Sequence, residues 1–438
     1  LRREVPFLQG GDESRPNTFG DLSLRKSGIK GLARIRSESK PVQLTYRYRL
    51  YPSRAQEQKL LVTLDQCRWL YNHFLERLNR KRDGKTPRRY ELQATLPSLK
   101  RERPALKHVH SKVLQMVLHQ LYSNLRALAE LKRNGRKVGR LRFKGRGWFK
   151  SFAYNQSGFK IIEGHGKRRE LWLSKIGAIP IVLHRELDDK AKQVHVKREH
   201  SGKWFACFSI EVDDAQKVGK LSKPVGIDLG ITHYIADTAG NFVEHPHNII
   251  KSEWRLRREQ RRLSRKKKGS RNRAKQCIKL ALVHERIRNQ RLDFLHKLSR
   301  RYVNKYDFIV VEDLGVKELI EMARNGKNRA DAAWATFLRM LTYKAERAGG
   351  WVVRVEPRGT TNRCSRCGEI VEKPLWVRVH KCPNCGLELD RDLNAARNIL
   401  RDGLKKIGRE PAEFAPVEIG PLSHSGTSLV AEAGSSAI

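Results

Sequence analysis

Three acidic positions lie at the edges of apolar runs: Asp228 in Val225-Gly226-Ile227-Asp228-Leu229-Gly230, Glu312 after Phe308-Ile309-Val310-Val311, and an aspartate of Asp390-Arg391-Asp392. Side chains alternate across an extended chain, so Asp228 leaves the face opposite Val225, Ile227 and Leu229, between glycines that leave space around it. If the three acids converge, their oxygens suit hard divalent cations. Three carboxylates can hold two Mg2+ ions about 3.5 to 4 Å apart, one activating water and the other stabilising the leaving oxygen of a phosphodiester. That is nuclease chemistry. Alternation admits only one of Glu312 and Asp313 to such a site. Structural roles also exist for single acids: Asp313 as a cap, Asp390 as a helix N-cap, Asp237 as a turn residue.

A second chemistry is written in cysteine. Cys364-x-x-Cys367 and Cys382-x-x-Cys385 stand 14 residues apart, each pair followed by glycine (Gly368, Gly386). Two such knuckles make a tetrahedral thiolate site for a structural Zn2+, with no position open for a catalytic water. His380 is near enough in sequence to substitute for one ligand. The other cysteines, Cys67, Cys207 and Cys277, are isolated, which fits a reducing cytoplasm and a metal site more than a disulfide framework.

Elements that could position these groups follow from periodicity. Val42 to Leu50 alternates as a half-buried strand and Pro52-Ser53 ends it; helical stripes then run through Leu60 to Leu78 and, after Pro104, through Val113 to Leu128. Short alternating runs between 139 and 213 predict, with the first strand, a small β-barrel interrupted by a helical insertion. Three strands are expected from Val225 to His245, a helix through Ile278 to Leu298, a strand buried on both faces at Phe308 to Val311, a helix over Ala332 to Arg347, a strand at Trp351 to Val355 and a last helix from about Leu393. Trp334, Phe337 and the loop Arg324 to Arg329 could form a lid, although for the aromatics a place in the helix core is the simpler reading.

Charge points to the partner. The chain has 438 residues, room for about two to four domains, and its 91 Lys plus Arg against 46 Asp plus Glu give a net charge of +45. With 39% hydrophobic residues this describes a folded polyanion binder, and nucleic acid is the expected partner. The window 251–275 alone holds 13 Lys or Arg against Glu253 and Glu259. No apolar run is long enough to span a bilayer, so no membrane partner is expected. Residues 1–40 follow Arg2-Arg3 with Gly, Asp, Ser, Pro and Asn where a secretory signal would be apolar. They read as a poorly ordered, dispensable leader, and 409–438 as a loose tail.

Taken together, Tyr48-Arg49-Leu50-Tyr51-Pro52, Arg68-Trp69-Leu70-Tyr71-Asn72, Arg142-Phe143-Lys144, Gly226-Ile227-Asp228-Leu229-Gly230, Val311-Glu312-Asp313-Leu314, the two knuckles and Asp390-Arg391-Asp392-Leu393-Asn394-Ala395-Ala396 resemble, in order and wording, the TnpB family of transposon-encoded RNA-guided nucleases, over about Val42 to Leu400. The resemblance implies a multidomain α/β chain. An RNase H-like (RuvC) nuclease domain (223–357 and 388–408) would carry a zinc-binding insertion (358–387). A wedge β-barrel (41–52 and 139–222) would be interrupted by a helical recognition domain (53–138). It implies Asp228, Glu312 and Asp392 as catalytic ligands of two Mg2+ ions, with Asp392 preferred over Asp390. It implies Cys364, Cys367, Cys382 and Cys385 as Zn2+ ligands, and Tyr90, Lys112, Gln115, Tyr154 and Asn155 as readers of a short motif beside the DNA target. The expected activity is RNA-guided, Mg-dependent cleavage of DNA by an insertion-sequence endonuclease, with guide RNA and double-stranded target DNA as partners, in a monomeric protein of a prokaryotic cytoplasm. The alternatives are a small type V CRISPR effector, a DDE-type transposase and a non-catalytic guide-directed DNA binder.

Overall fold

In the computed structural model the described residues are 42–80, 87–164, 169–185, 187, 191–212, 221–315, 332–374 and 376–408. The expected leader, the tail and the loop Arg324 to Arg329 lie outside them. Strand β1 (Val42–Leu50) is followed by helices α1 (Arg54–Asn79), α2 (Arg89–Ala94), α3 (Leu96–Glu102) and α4 (Ser111–Arg133). Strands β2 (Ser151–Asn155), β3 (Phe159–Glu163), β4 (Arg169–Leu173), β5 (Gly177–Val182), β6 (Gln193–Arg198) and β7 (Trp204–Val212) come next.

Ser53 starts α1 with a capping box: its hydroxyl accepts from the Gln56 amide while the Gln56 side chain accepts from the Ser53 amide at 2.9 Å. The stripe Leu60, Leu64, Leu70 and Phe74 is buried against α4, whose Val113, Leu114, Leu118 and Leu121 form the facing stripe. Each such side chain contributes about 1.5–3 kcal/mol. The seven strands form one antiparallel sheet in the order β2-β6-β7-β1-β5-β4-β3, with β1 paired to β7 along its whole length. Where a small β-barrel was expected, the described strands form an open, half-barrel sheet. Among the described residues no ladder joins β2 to β3: α4 packs against β2, and β3 remains an edge. The segment 139–150, expected to begin the barrel, is irregular.

The second half of the chain supplies β8 (Pro224–Asp228), β9 (His233–Asp237), β10 (Phe242–Glu244), α5 (Asn248–Ser264), α6 (Arg271–Lys305), β11 (Phe308–Glu312), α7 (Trp334–Arg347), β12 (Trp351–Val355), β13 (Val379–Lys381), β14 (Glu388–Asp390) and α8 (Arg391–Lys406). Its five-stranded sheet has the order β10-β9-β8-β11-β12, in which β8, β11 and β12 run parallel and β9 pairs antiparallel with both β8 and β10. β11 is buried at all five positions, as its continuous apolar run demands. Ile227, Ile309 and Val311 face α6 and α7, including Leu295, Tyr302, Phe337 and Leu341. Phe308 and Val310 face the other way, onto Ile399 and Leu404 of α8. Trp334 and Phe337 are core residues, 4% and 0% exposed.

Two glycines set how close α8 comes. A Cβ on Gly226 would lie 2.8 Å from Leu400 and nearer still to the Ala396 carbonyl, and one on Gly403 would collide with Val310. Between the halves, Glu199, which accepts from Arg47 and faces Lys197 of its own half, also faces Arg288 of α6, while Lys203 pairs with Glu285 of α6 at 2.9 Å. No described helix is long and apolar enough to cross a membrane.

Candidate active site and metal centre

The parallel register of β8 and β11, in which Ile227 pairs with Val311, carries Asp228 and Glu312 to the same level at the carboxyl edges of adjacent strands. Parallel partners in register share a face. Gly226 and Val310, two residues before them, meet α8, so both acids lie on the α8 side of the sheet. Asp392 stands in the first turn of that helix and is 7% exposed. Burial first, then the charges of Glu312 and Asp392, push the Asp228 carboxyl well above its ordinary range, against the opposing pull of Arg391 and the Leu229 amide. Burial also raises Glu312, partly offset by the Thr360 hydroxyl, which donates to it at 2.6 Å. The charges of Glu312 and Asp392 thus disfavour an ionised Asp228 at the edge of the sheet, an arrangement that a divalent cation would relieve.

The remaining acids fall as alternation requires. Asp313 points outward to Arg354 at 3.1 Å, and Asp390 caps α8, accepting from the amides of Asp392 and Leu393 at 2.8 and 3.2 Å. Asp237 is buried at its turn, where Ala239 and Asn241 donate to it, and Tyr302 of α6 donates to it at 2.8 Å. No choice of one oxygen from each of Asp228, Glu312 and Asp392 brings all three within 4.8 Å. Glu312 is held by Thr360, and Asp392 by Arg378 at 3.4 Å and Arg391 at 3.2 Å, which spreads the like charges. A pair of ions several ångströms apart needs no single point of convergence. Thr360 and Arg378 escaped the sequence reading. Both reach their acids across long sequence separations, which no local pattern encodes.

The four cysteines do meet at a point. Their sulfurs all lie within 4.8 Å of one another, Cys364 to Cys385 at 3.7 Å and Cys367 to Cys382 at 3.5 Å. Tetrahedral Zn–S bonds near 2.3 Å imply sulfurs about 3.8 Å apart, so the donor set fits Zn2+. Gly368 and Gly386 take positive φ values of 85° and 69°, the turn each knuckle needs, and donate back to the carbonyls of Cys364 and Cys382. Burial pushes the Cys364 thiol up, but the amides of Cys367 and Arg366 and the His380 side chain hold it down to about 5, ready to ligate as thiolate. His380 is buried beside the cluster and pairs with Lys373. Asn394 and Asn398 of α8 donate to the Arg363 carbonyl at 2.8 and 2.6 Å, and Asn394 accepts from the Ser365 amide at 2.8 Å, tying this centre to the helix that bears Asp392.

The expected motif readers separate. Tyr90 is 60% exposed, and Lys112, Gln115 and Asn155 are half-buried. Tyr154 is 1% exposed and its hydroxyl donates to the Ser174 carbonyl at 2.9 Å, so its ring belongs to the core. Beside them, α4, β2 and β6 enclose a cavity of about 460 Å³ lined by His119, Gln120, Asn124, Phe152 and His195.

Comparison with known proteins adds three family matches: "Probable transposase" over residues 207–323, "Cas12f1-like, TNB domain" over 334–399 and "Helix-turn-helix domain" over 42–85. In the last, the described residues form one strand and one long helix. A Streptomyces pristinaespiralis protein named "Putative RNA-guided DNA endonuclease" is 35% identical over 373 residues, covering 83% of this chain and 90% of that protein. The Escherichia coli K12 protein "Putative RNA-guided DNA endonuclease InsQ" is 31% identical over 82% of this chain and 92% of its own length. Among solved structures, that of the mini-RNA-guided endonuclease CRISPR-Cas_phi3 aligns with a TM-score of 0.48 at 10% identity, covering 85% of this chain and 94% of that one.

Proposed function

This chain belongs to the TnpB family of IS605-type proteins, and from that premise we propose that it is an RNA-guided DNA endonuclease of an insertion sequence. The observation that carries the chemistry is the placing of Asp228, Glu312 and Asp392 on one side of the β8–β11 edge under α8. In this reading the three carboxylates hold two Mg2+ ions, which when bound activate a water and neutralise the scissile phosphate. The chain's own part is to orient and to exclude. Thr360 fixes the Glu312 carboxylate, Arg378 and Arg391 steady Asp392, and the Leu229 amide points toward Asp228.

The strand order β10-β9-β8-β11-β12 with its α8 cover supports an RNase H-like (RuvC) domain at 223–357 and 388–408, with Cys364, Cys367, Cys382 and Cys385 holding a structural Zn2+ in the insertion 358–387. The seven-stranded sheet and α1 to α4 support the wedge and helical recognition roles. Guide RNA paired with target DNA would be gripped by its backbone, while base pairing supplies sequence choice and Tyr90, Lys112, Gln115 and Asn155 read the flank.

Purification of the chain with its bound nucleic acid, sequencing of that RNA, and incubation with matched double-stranded DNA test the reading. Cleavage requires Mg2+, and Asp228→Ala abolishes it while RNA-dependent target binding persists; an Asp228→Ala protein that still cuts refutes the site. The Cas12f1-like match favours one second reading, a small type V CRISPR effector, and a repeat-derived guide in the same sequencing would select it. Strand joining without RNA would instead mark a transposase.

A further inference from the structure

Helix α5 carries six Lys or Arg against Glu253 and Glu259, and Glu259 is buried, held by Gln276 of α6 at 2.6 Å. At about 100° per residue, Glu259 and its neighbours Ser252, Leu256 and Leu263 mark the face turned to α6. Trp254 falls nearly opposite. It is 67% exposed, and Ile250, Arg257, Arg258 and Arg261 surround it on that outward face. The Arg258 guanidinium lies over the indole, 4.4 Å from the ring centroid.

A lone exposed aromatic is ordinary, but a tryptophan at the centre of a cationic helix face, clasped by one of its arginines, has a defined chemistry. The indole offers a π-face of the size of a base, and the flanking cations match phosphates spaced along a strand. Charge argues against an apolar or acid-poor occupant: a lipid tail, or a second copy of a chain of net charge +45, would not compensate so many guanidiniums.

We infer that the outward face of α5 is a stacking platform for an unpaired nucleotide of a polynucleotide strand, with Trp254 against the base, Arg258 buttressing the indole and Lys251, Arg257 and Arg261 on the phosphates. It rests on the endonuclease reading only for the strand's origin, guide RNA or displaced DNA; the contact itself needs no cleavage. Base–aromatic stacking of this kind is worth about 1–3 kcal/mol per base, or roughly 5- to 150-fold in affinity.

The test uses the full chain and single-stranded oligomers of RNA and of DNA, substituted with 5-iodouridine or 5-iodo-deoxyuridine. Irradiation should crosslink Trp254, the RNA and DNA arms telling which strand is preferred. Trp254→Ala should lower affinity at least fivefold with an unchanged melting temperature, Trp254→Phe should retain most of it, and Arg258→Ala should lie between. Wild-type affinity in Trp254→Ala overturns the platform, as does a concentration-dependent dimer lost in that variant, which would assign the face to a second copy. Loss of binding in Trp254→Ala together with no guided cleavage by the wild-type chain would sink the endonuclease reading and spare this one; intact cleavage with unaltered binding would do the reverse.

Discussion

Gly226→Ala tests whether the approach of α8 sets the cutting centre. The new Cβ would begin 2.8 Å from the Cβ and amide nitrogen of Leu400, with the Ala396 carbonyl closer. Ordinary contact begins near 3.4 Å, so β8 and α8 must part by roughly 0.6 Å or more, and neither obstacle is the tip of a flexible side chain. Overpacking of this sort costs about 1–3 kcal/mol of stability. The larger consequence lies nearby, because Asp228 rides on β8 two residues beyond Gly226 and Asp392 on α8 four residues before Ala396 and eight before Leu400. Displacements approaching 1 Å in a reacting constellation lower rates on the order of 100-fold. Single-turnover cleavage of guide-matched DNA in saturating Mg2+ is therefore expected to slow by about 10- to 100-fold, with target binding nearly unchanged. Gly139→Ala, whose added Cβ meets nothing within 4 Å, serves as control. A Gly226→Ala protein as fast and as stable as wild type would refute the claim that this contact positions the acids.

Without divalent ions, the raised carboxyls of Asp228 and Glu312 keep protons in the folded chain to higher pH than in the unfolded one. Folded-state stability should then fall as pH rises from about 4 through that raised range, and Mg2+ should restore it. Asp228→Asn should flatten the curve and melt above wild type near neutral pH in EDTA; a flat wild-type curve would contradict the crowding of charges. Cys382→Ser should reduce bound zinc, measured by elemental analysis, from one per chain to none and lower the melting temperature of the half that bears the four cysteines. Full stability of the zinc-free variant would remove the structural role of the ion.

Much of the second half of the chain was legible because its signals are local. The alternation through Asp228 and the unbroken run before Glu312 specify strands of two kinds, and Cys-x-x-Cys spacing specifies a knuckle. The helical stripes of α1 and α4 were equally plain. What failed to show depends on partners distant in sequence. Closure of the first sheet turns on whether β2 meets β3, edges far apart in the sheet order, and α4 packs on the face of β2. That packing also explains Tyr154: with Phe152, Ala153 and Tyr154 all buried, both faces of β2 are covered, so a tyrosine that alternation alone leaves free is enclosed. The choice of Asp392 over Asp390 came from resemblance; in the structure Asp390 is the helix cap, one of its oxygens, Oδ1, accepting from two amides of α8.

The grip of Asn394 and Asn398 falls on main-chain carbonyls at Thr360, Thr361 and Arg363 and on the Ser365 amide. The carbonyls held are groups that every residue type carries, so the identity of position 361 can drift during evolution while the length of that tether stays fixed; Arg363 is bound by its side chain as well, to Asp402 at 2.6 Å. Insertion or deletion of a single residue there would slide the whole thiolate cage along its anchor, a change far harsher than any replacement of side chains.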